Sequence, residues 1–156
     1  MFAHPPLKTC KIRTVGLTSV KSAMFGMVRN GWKRAHQGID LASDSGYRVY
    51  AVLDGFVIDV RESAGGYGNS VLLSHIVDDK HYYTFYAHLS RIDVEFSQTV
   101  KAGTQLGLTG DSGNAKGMTT IATGGHLHFE LRDKRSVGLG LAGRLDPLPY
   151  LKQWIV

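Results

Sequence analysis

The sequence predicts a mainly β protein, a single small domain built around an antiparallel β-sheet. Three observations support this fold class. The chain of 156 residues is long enough for one domain with its own core. Its 19 glycines exceed the usual share and indicate many turns between short strands. From Tyr47 onward, β-branched and aromatic runs alternate with turn-forming residues, as in successive strands.

The predicted strands are short, and turn residues separate them. They cover residues 47–53, 56–60, 70–76, 81–89, 99–100, 105–108 and 126–132. The dipeptide Asp54-Gly55 between the first two is a strong hairpin signal, so we expect these two strands to pair. Asp78-Asp79-Lys80 is expected to turn the chain from the third strand into the fourth.

We expect a single domain over residues 1–156, in three parts. These parts are an N-terminal segment (1–35), a core with the candidate functional residues (36–132) and a C-terminal extension (133–156). The N-terminal segment is predicted to be irregular because Gly16, Gly26 and Gly31 interrupt any regular period. Residues 110–125 are predicted to form a long loop of functional importance, and residues 147–153 a short helix.

Charge and terminal composition narrow the class of protein further. The net charge of +5 suits an anionic partner, but the basic residues are scattered, so no nucleic-acid partner is expected. No apolar run approaches the ~20 residues of a membrane span. Residues 1–8 lack the features of a signal peptide, which leaves a mature fragment, a cytoplasmic protein, or one exported by another route.

Two of the seven histidines, His126 and His128, lie two residues apart in a predicted strand. Both side chains would therefore project from one face of the sheet, while Leu127 and Phe129 fill the opposite face. A shared metal or acid would explain two adjacent imidazoles. Alone, however, the pattern is equally compatible with polar residues on the surface of a sheet.

His36 and Asp40 lie four residues apart. In a helix their Cβ atoms would be about 5–6 Å apart, whereas a straight strand would separate them by about 13 Å. If both bind one ion, the chain must bend at Gln37-Gly38, and glycine permits such a bend. Taken alone, this segment is more typical of a polar turn that enters a strand.

Considered together, these residues indicate a catalytic zinc site. Two imidazole nitrogens and one carboxylate oxygen, with a fourth position open, are the usual ligands of catalytic zinc. Hydrolysis also needs a group that accepts the proton of water and a donor for the oxyanion, and His88 and His126 suit these tasks. The spacing does not decide which of His126 and His128 binds the metal.

The order of the histidine segments resembles the signature of the lysostaphin-type (M23, LytM-like) zinc endopeptidases. Three segments carry it: His36-x-x-x-Asp40, Tyr86-x-His88-Leu89 and His126-x-His128-Phe129-Glu130. The likeness extends from about residue 25 to 132. Further matches are Gly38-Ile39-Asp40, Val49-Tyr50-Ala51 with Asp54-Gly55, Gly66-Tyr67-Gly68-Asn69, and Leu106-Gly107 before Thr109-Gly110.

The resemblance implies a small antiparallel β-sheet whose loops line a metal cleft. It also implies a function and a role for each candidate residue. Zn²⁺ would bind to His36, Asp40 and His128, and His88 and His126 would be the catalytic histidines. The implied substrate is the stem or bridge peptide of peptidoglycan, with the choice between a D-Ala–diaminopimelate bond and a glycine bridge left open. Residues 36–132 would then be the catalytic core.

Two stretches depart from the usual pattern of these enzymes. The loop 113–125 is longer than is usual before the second histidine motif, which bears on substrate preference. The stretch 138–148 is similar to a subset of these domains associated with interbacterial, type VI-like secretion systems. That similarity fits an antibacterial effector that is delivered into a rival's periplasm and is matched by a cognate immunity protein. We also expect a monomer that acts in the periplasm or cell wall.

Three other functions are compatible with parts of the sequence. The first is a non-catalytic LytM-like module that binds or activates other cell-wall hydrolases, although the five candidate positions are all filled by histidine or aspartate. The second is a zinc amidase that cuts the bond between sugar and peptide, which the order of the motifs disfavours. The third is a basic module for nucleic acid, which the scattered charge does not support.

Overall fold

The computed structural model describes residues 1–156 as eleven strands with a few short helices. The strands are β1 (Gly26–Arg29), β2 (Arg34–His36), β3 (Ile39–Ala42), β4 (Arg48–Tyr50), β5 (Gly55–Arg61), β6 (Asn69–Val77), β7 (Lys80–Ile92), β8 (Thr99–Val100), β9 (Gln105–Thr109), β10 (His126–Arg132) and β11 (Arg144–Leu145). The helices are α1 (Leu148–Leu151) and the 3₁₀ turns Val20–Ala23, Gly113–Ala115, Ile121–Thr123 and Lys152–Trp154. None of the helices has the length and apolar character needed to span a bilayer.

Nine strands form one antiparallel sheet, in which β10 is bordered on both edges. Strand β7 pairs with one edge of β10, and β3 and then β11 pair with the other. Strands β6, β5 and β8 continue the sheet beyond β7, and β9 links β7 to β4. Strands β1 and β2 form a separate hairpin. The predicted fold class, mainly β with an antiparallel sheet, is confirmed.

The two faces of the sheet differ in what they cover. Along β10, Leu127, Phe129 and Leu131 are fully buried in the main apolar core. The burial of each such side chain contributes about 1.5–3 kcal/mol, which fixes the orientation of the strand. The opposite face carries only a small apolar cluster with Phe85 and Leu72. That second face is free to carry polar side chains.

Most of the predicted strands are present, some with different ends. The run 126–132 forms β10 along its whole length, and 70–76 and 81–89 lie within the longer β6 and β7. Asp78 and Asp79 join those two strands with positive φ angles of 50° and 63°, as a type I′ hairpin turn requires. The run 47–53 shortens to the three residues of β4.

The hairpin predicted at Asp54-Gly55 is wrong. Strand β4 pairs with β9, whereas β5 pairs with β6 and β8, so the two strands beside this dipeptide are not partners. Gly55 does not have a positive φ and opens β5 instead. A Cβ atom there would collide with the carbonyl of Ser74 and lie 2.7 Å from His75 Nδ1. The glycine therefore serves a close approach between strands.

The prediction that residues 1–35 are irregular is wrong in part. They contain β1, most of β2 and the 3₁₀ turn Val20–Ala23. Asn30, Gly31 and Trp32 connect β1 to β2 with three successive left-handed φ angles of 50°, 61° and 69°. Gly31, which was expected to interrupt regular structure, thus lies in the turn of a hairpin. Strands of three or four residues are too short to show a period.

The other two predicted segments have the expected character. Residues 110–125 form a long connection without strands, although it includes the 3₁₀ turns Gly113–Ala115 and Ile121–Thr123. At the end of the chain, α1 continues directly into the 3₁₀ turn Lys152–Trp154, where a helix over 147–153 is predicted. Leu151 of α1 packs into the main core.

Candidate metal centre and catalytic cleft

The face of β10 opposite the main core carries the predicted histidine pair. His126 and His128 project from it, each about 4% exposed. The alternation continues with Glu130 and Arg132, both also buried. One strand therefore places four polar side chains side by side on the face that lines the cleft.

Strand β3 brings Asp40 beside this row. The antiparallel register pairs Asp40 with His128, so their side chains lie on the same face of the sheet. The chain bends at Gln37-Gly38 between β2 and β3, as the sequence required if His36 and Asp40 share an ion. Only glycine fits at the bend, because a Cβ atom on Gly38 would collide with the Phe129 carbonyl oxygen and lie 2.9 Å from Glu130 Cγ.

The bend and the register bring three donor atoms to one point. His36 Nε2 lies 3.0 Å from Asp40 Oδ1, and His128 Nδ1 lies 3.1 Å from the same oxygen. The potential ligand atoms of His36, Asp40 and His128 all lie within 4.8 Å of one another, and all three residues are buried. Two nitrogens and one oxygen form the donor set of a catalytic zinc site.

The remaining polar atoms of these three residues are already occupied. His36 Nδ1 donates to the Met24 carbonyl at 2.9 Å, which leaves Nε2 as its free donor atom. His128 Nε2 donates to Glu130 Oε1 at 3.0 Å, which leaves Nδ1 free. Such second partners fix the tautomer and orientation of histidines that bind metals. The three residues therefore fit a zinc ion.

Two arginines hold the other oxygen of the aspartate. Arg13 Nη1 and Arg29 Nη2 donate to Asp40 Oδ2 at 3.2 and 3.1 Å, while Oδ1 faces His36 and His128. Burial would raise the pKa of Asp40, but the hydrogen bonds with His128 and His36 hold it well below its usual range. The carboxylate is therefore ionised, as a metal ligand must be.

Glu130 anchors the opposite side of the cluster. Its Oε2 accepts from Arg132 Nε at 2.7 Å and from Arg144 Nε at 3.0 Å, while Oε1 accepts from His128. Burial acts to raise the pKa of Glu130, but the partners His128, Arg132 and Arg144 lower it to about 2. Burial acts to lower the pKa of His128, but Asp40 and Glu130 raise it to about 9, so without metal its Nδ1 carries a proton that Zn²⁺ would displace. Glu130 is thus a fixed anion behind the metal site.

The remaining two histidines lie next to the three donors but are held differently. His88 Nδ1 donates to the Ser112 carbonyl and His126 Nδ1 to the Gly124 carbonyl, each at 2.8 Å. Their rings are 5.1 Å apart, edge to face. In both rings the tautomer with a hydrogen on Nδ1 leaves Nε2 unprotonated. His126 Nε2 lies 3.7 Å from Asp40 Oδ2, outside the cluster of three donors.

Both of these histidines are neutral near pH 7. Burial, followed by the repulsion that a protonated His88 would meet from protonated His128 and His126, lowers the pKa of His88 to about 3. Burial also lowers the pKa of His126, against the opposing charge of Asp40. His88 has a φ of 61°, a conformation rare for residues other than glycine and typical of functional sites. A neutral imidazole with a free Nε2 can accept a proton.

The cluster lies at the bottom of a cleft of about 1100 Å³. Its walls come from the N-terminal segment, the β1–β2 hairpin, the loop before β10 and the segment around Leu139. Arg29 and Asn30, whose position relative to the site the sequence could not show, both line this cleft. The predicted long loop contributes Asn114 and Met118.

Sequence reasoning gave no role to Tyr67, Arg13, Arg29 or Glu130. The ring of Tyr67 lies 5.1 Å from that of His128, and its hydroxyl contacts the Gln37 amide. Burial, followed by the charge of Glu130, raises the pKa of Tyr67, so its hydroxyl keeps its proton. Glu130 could have been found from the same alternation that revealed the histidine pair. Arg13 and Arg29 have no comparable signal, because they are distant from Asp40 in the chain.

A buried His₂Asp cluster with two further histidines, in a cleft of an antiparallel sheet, is a donor arrangement typical of metal-dependent hydrolases. Comparison with known proteins identifies the family. The model of peptidase family M23 matches residues 34–138, more than half of the chain. The chain therefore belongs to peptidase family M23.

Two curated relatives illustrate the range of proteins that this chain resembles. The DD-carboxypeptidase/endopeptidase Mpg of Neisseria meningitidis is 40% identical over 102 residues, which are 64% of this chain and 20% of that protein. The murein hydrolase activator NlpD of Escherichia coli is 33% identical over 129 residues, 83% of this chain and 28% of that protein. The chain thus spans well under half the length of these relatives.

Solved structures agree with the fold. The catalytic domain of lysostaphin from Staphylococcus simulans superposes with a TM-score of 0.61 and 26% identity, covering 92% of this chain and 89% of that one. A zinc-containing peptidase from Vibrio cholerae superposes with a TM-score of 0.55 and 34% identity, covering 72% of this chain and 29% of that one.

Proposed function

We propose that this protein is a zinc-dependent endopeptidase that hydrolyses peptide cross-links of bacterial peptidoglycan. The observation that supports this best is the geometry of the cleft floor. His36, Asp40 and His128 direct three donor atoms to one point, and each has its other polar atom held by a partner. His88 and His126 stand beside them with Nε2 unprotonated.

His36 Nε2, Asp40 Oδ1 and His128 Nδ1 would hold the metal. Zn²⁺ bound there would act as a Lewis acid towards the scissile carbonyl and the attacking water. Nε2 of His88 or His126 accepts the proton of the water, because both rings begin neutral. The protonated imidazole can then donate to the oxyanion or to the leaving amine. The Tyr67 hydroxyl, which keeps its proton, is a further donor on the cleft wall.

The substrate class rests on the relatives. Mpg is described as a carboxypeptidase and endopeptidase, NlpD as an activator of murein hydrolases, and lysostaphin as an antimicrobial peptidase. A cleft of about 1100 Å³ that is open to solvent can admit an extended peptide. We infer that the cut bond lies in a peptide of the cell wall and that the protein acts in the periplasm or wall.

The test uses purified sacculi and two groups of variants. We expect His36→Ala, Asp40→Ala and His128→Ala to lose zinc and activity together. His88→Ala should keep zinc and lose about 10²–10⁴-fold in turnover, since a group that handles protons contributes that much. Mass spectrometry of the released peptides identifies the bond, and metal analysis gives the zinc content.

His126→Ala tests the assignment within the histidine pair, and it should behave like His88→Ala. If His126→Ala empties the metal site while His128→Ala does not, the roles of the two residues are reversed. If none of the wild-type preparations releases peptides from sacculi, the protein is not a hydrolase of this substrate.

The similarity to NlpD supports a second candidate, a non-catalytic module that activates another wall hydrolase. Such a module would not need a working metal site. Activation of a partner amidase that persists in His36→Ala, without peptide release by the wild type alone, would favour this function. Peptide release that requires zinc would favour the endopeptidase.

A further inference from the structure

A second cavity of about 700 Å³ adjoins the metal cleft on the same face of the sheet. Its apolar floor includes Leu72 and Phe85, which belong to the small apolar cluster of that face. The segment 135–139 forms one wall of the cavity. Gln37, Tyr67 and Leu139 line both cavities, so the two are neighbours that share a wall.

Hydrogen bonds hold the wall of this second cavity in place. The Gly140 amide donates to Gln37 Oε1 at 2.7 Å, and the other end of the Gln37 amide contacts Tyr67. Arg144 Nη1 donates to the carbonyls of Gly138 and Gly140 at 2.6 and 2.9 Å. The buried Arg144 thereby ties the wall to Glu130. The cavity is a built feature of the fold and requires no movement to form.

Arg132 is the unusual residue of this cavity. It is only 7% exposed and lines the cavity with its guanidinium over the Phe85 ring, 4.5 Å from the ring centre. Its Nε donates to Glu130, but neither Nη1 nor Nη2 has a hydrogen-bond acceptor within the protein. Ser45 Oγ is the one buried side-chain polar atom of the protein without a partner, so the terminal nitrogens of Arg132 reach solvent in the cavity. They are therefore accessible donors, in the forked arrangement that pairs with a carboxylate.

The charge balance favours an anion as the acceptor for these donors. Glu130 is the one carboxylate near Arg132, and it also serves Arg144 and His128. Arg61 and Arg135 add two exposed cations at the rim, where Asp59 pairs with Arg61. The cavity therefore has an excess of positive charge beside an apolar floor.

We propose that this second cavity is a carboxylate subsite of the enzyme, in which Arg132 binds a carboxylate of the substrate peptide through its free terminal nitrogens. The proposal rests on the proposed function in one respect: the peptide occupies the metal cleft and continues into the neighbouring cavity. The carboxylate belongs to the chain terminus or to a side chain of that peptide, and the apolar carbons beside it pack against Phe85 and Leu72.

The test compares three synthetic peptides with the stem sequence of Gram-negative peptidoglycan, which contains D-Ala and diaminopimelate, so it does not depend on hydrolysis of sacculi. The first has free carboxylates at its terminus and its side chain, the second has a terminal carboxamide, and the third has a side-chain carboxamide. Calorimetry gives Kd and hydrolysis gives kcat/KM, both with the zinc-loaded protein. Amidation of the recognised carboxylate should weaken both values about ten- to a hundredfold, the usual contribution of a charged hydrogen bond.

Variants assign the effect to Arg132. In Arg132→Gln the preference for the free acid should fall below about threefold, while Arg91→Gln, an exposed arginine outside both cavities, should retain it. Equal affinity of the wild type for all three peptides, or no binding of any, would overturn the subsite. Because that comparison needs only the wild type, it holds even if Arg132→Gln fails to fold.

The two proposals can fail separately. Binding that prefers the free acid without hydrolysis would contradict the endopeptidase and leave the subsite in place. Hydrolysis with equal kcat/KM for all three peptides would contradict the subsite and leave the endopeptidase in place.

Discussion

Replacement of Glu130 by glutamine isolates the role of the anion behind the metal site. Glu130 accepts three hydrogen bonds, from His128 Nε2 at 3.0 Å, Arg132 Nε at 2.7 Å and Arg144 Nε at 3.0 Å. Glutamine has nearly the same shape but only one acceptor oxygen. Whichever way its amide is turned, an NH₂ group faces at least one N–H donor. The substitution also leaves two buried arginines without a negative charge.

The expected losses follow from these contacts. Removal of one partner from a buried ion pair typically costs about 3–5 kcal/mol of folding stability. Loss of the carboxylate that holds a histidine ligand typically lowers metal affinity about 10–100-fold. This corresponds to roughly 1.4–2.7 kcal/mol of binding free energy. We therefore expect Glu130→Gln to be markedly less stable and to bind zinc about 10–100-fold more weakly.

Two measurements separate these effects. Competition with a zinc-binding dye gives the affinity of the folded protein, and urea unfolding with chelator present gives the stability of the protein without zinc. Glu95→Gln is the matched control, because Glu95 is exposed and its carboxylate has no ionic partner. A folded Glu130→Gln that binds zinc as tightly as the control would refute the orienting role of Glu130.

Three further predictions concern the bend, the buried His75 and the place of action. Gly38→Ala should destabilise the protein by about 1–3 kcal/mol or more, because the methyl group collides with the backbone of Phe129; urea unfolding measures this. Burial lowers the pKa of His75, although its hydrogen bond to the Asp54 carbonyl acts to raise that pKa. The folded state therefore favours the neutral ring. The stability that depends on a neutral His75 is therefore complete above about pH 6.5, and it declines as pH falls by at most about 1.4 kcal/mol per pH unit. The free energy of unfolding should therefore differ less between pH 7 and pH 5 in His75→Gln than in the wild type. Finally, if the chain is an antibacterial effector, it should be harmless in a Gram-negative cytoplasm but should round or lyse cells when exported to the periplasm, as microscopy can show.

Each of these predictions has a control in the same chain. Gly65→Ala should be nearly neutral, because no atom lies within 4 Å of the added methyl group; equal costs at Gly38 and Gly65 would contradict the steric explanation. His81→Gln, at an exposed position, should keep the wild-type pH response, and a response unchanged in His75→Gln would exclude His75 as its source. Periplasmic lysis should disappear in His128→Ala; lysis that persists there would exclude an enzymatic toxin.

Local patterns in the sequence predicted the parts of the fold that depend on local geometry. The alternation over 126–132 gave both the strand and the shared face of His126 and His128, because side chains alternate in any strand. The need for a bend at Gln37-Gly38 followed from the reach of a chain segment alone. Pairing between strands depends on contacts distant in sequence, so Asp54-Gly55 could not reveal that β4 and β5 have other partners.

The metal site shows the same limit. The sequence left open which of His126 and His128 joins the cluster, since both lie on one face of β10. The structure groups His128 with His36 and Asp40, because the register of β3 places Asp40 opposite His128. The arginines on Asp40 come from segments that no local pattern links to β3. The roles of the five residues in binding and catalysis remain predictions.

Residues on both sides of the stretch matched by the family hold the candidate metal ligands in place. The family match starts at residue 34, yet Arg13 and Arg29 hold Asp40, and the Met24 carbonyl fixes the ring of His36. Arg144, which holds Glu130, lies beyond the last matched residue, 138. A fragment cut to the matched stretch would keep every candidate ligand and lose much of what orients them. The shortest fragment that keeps the candidate metal site in place therefore extends beyond the matched stretch at both ends.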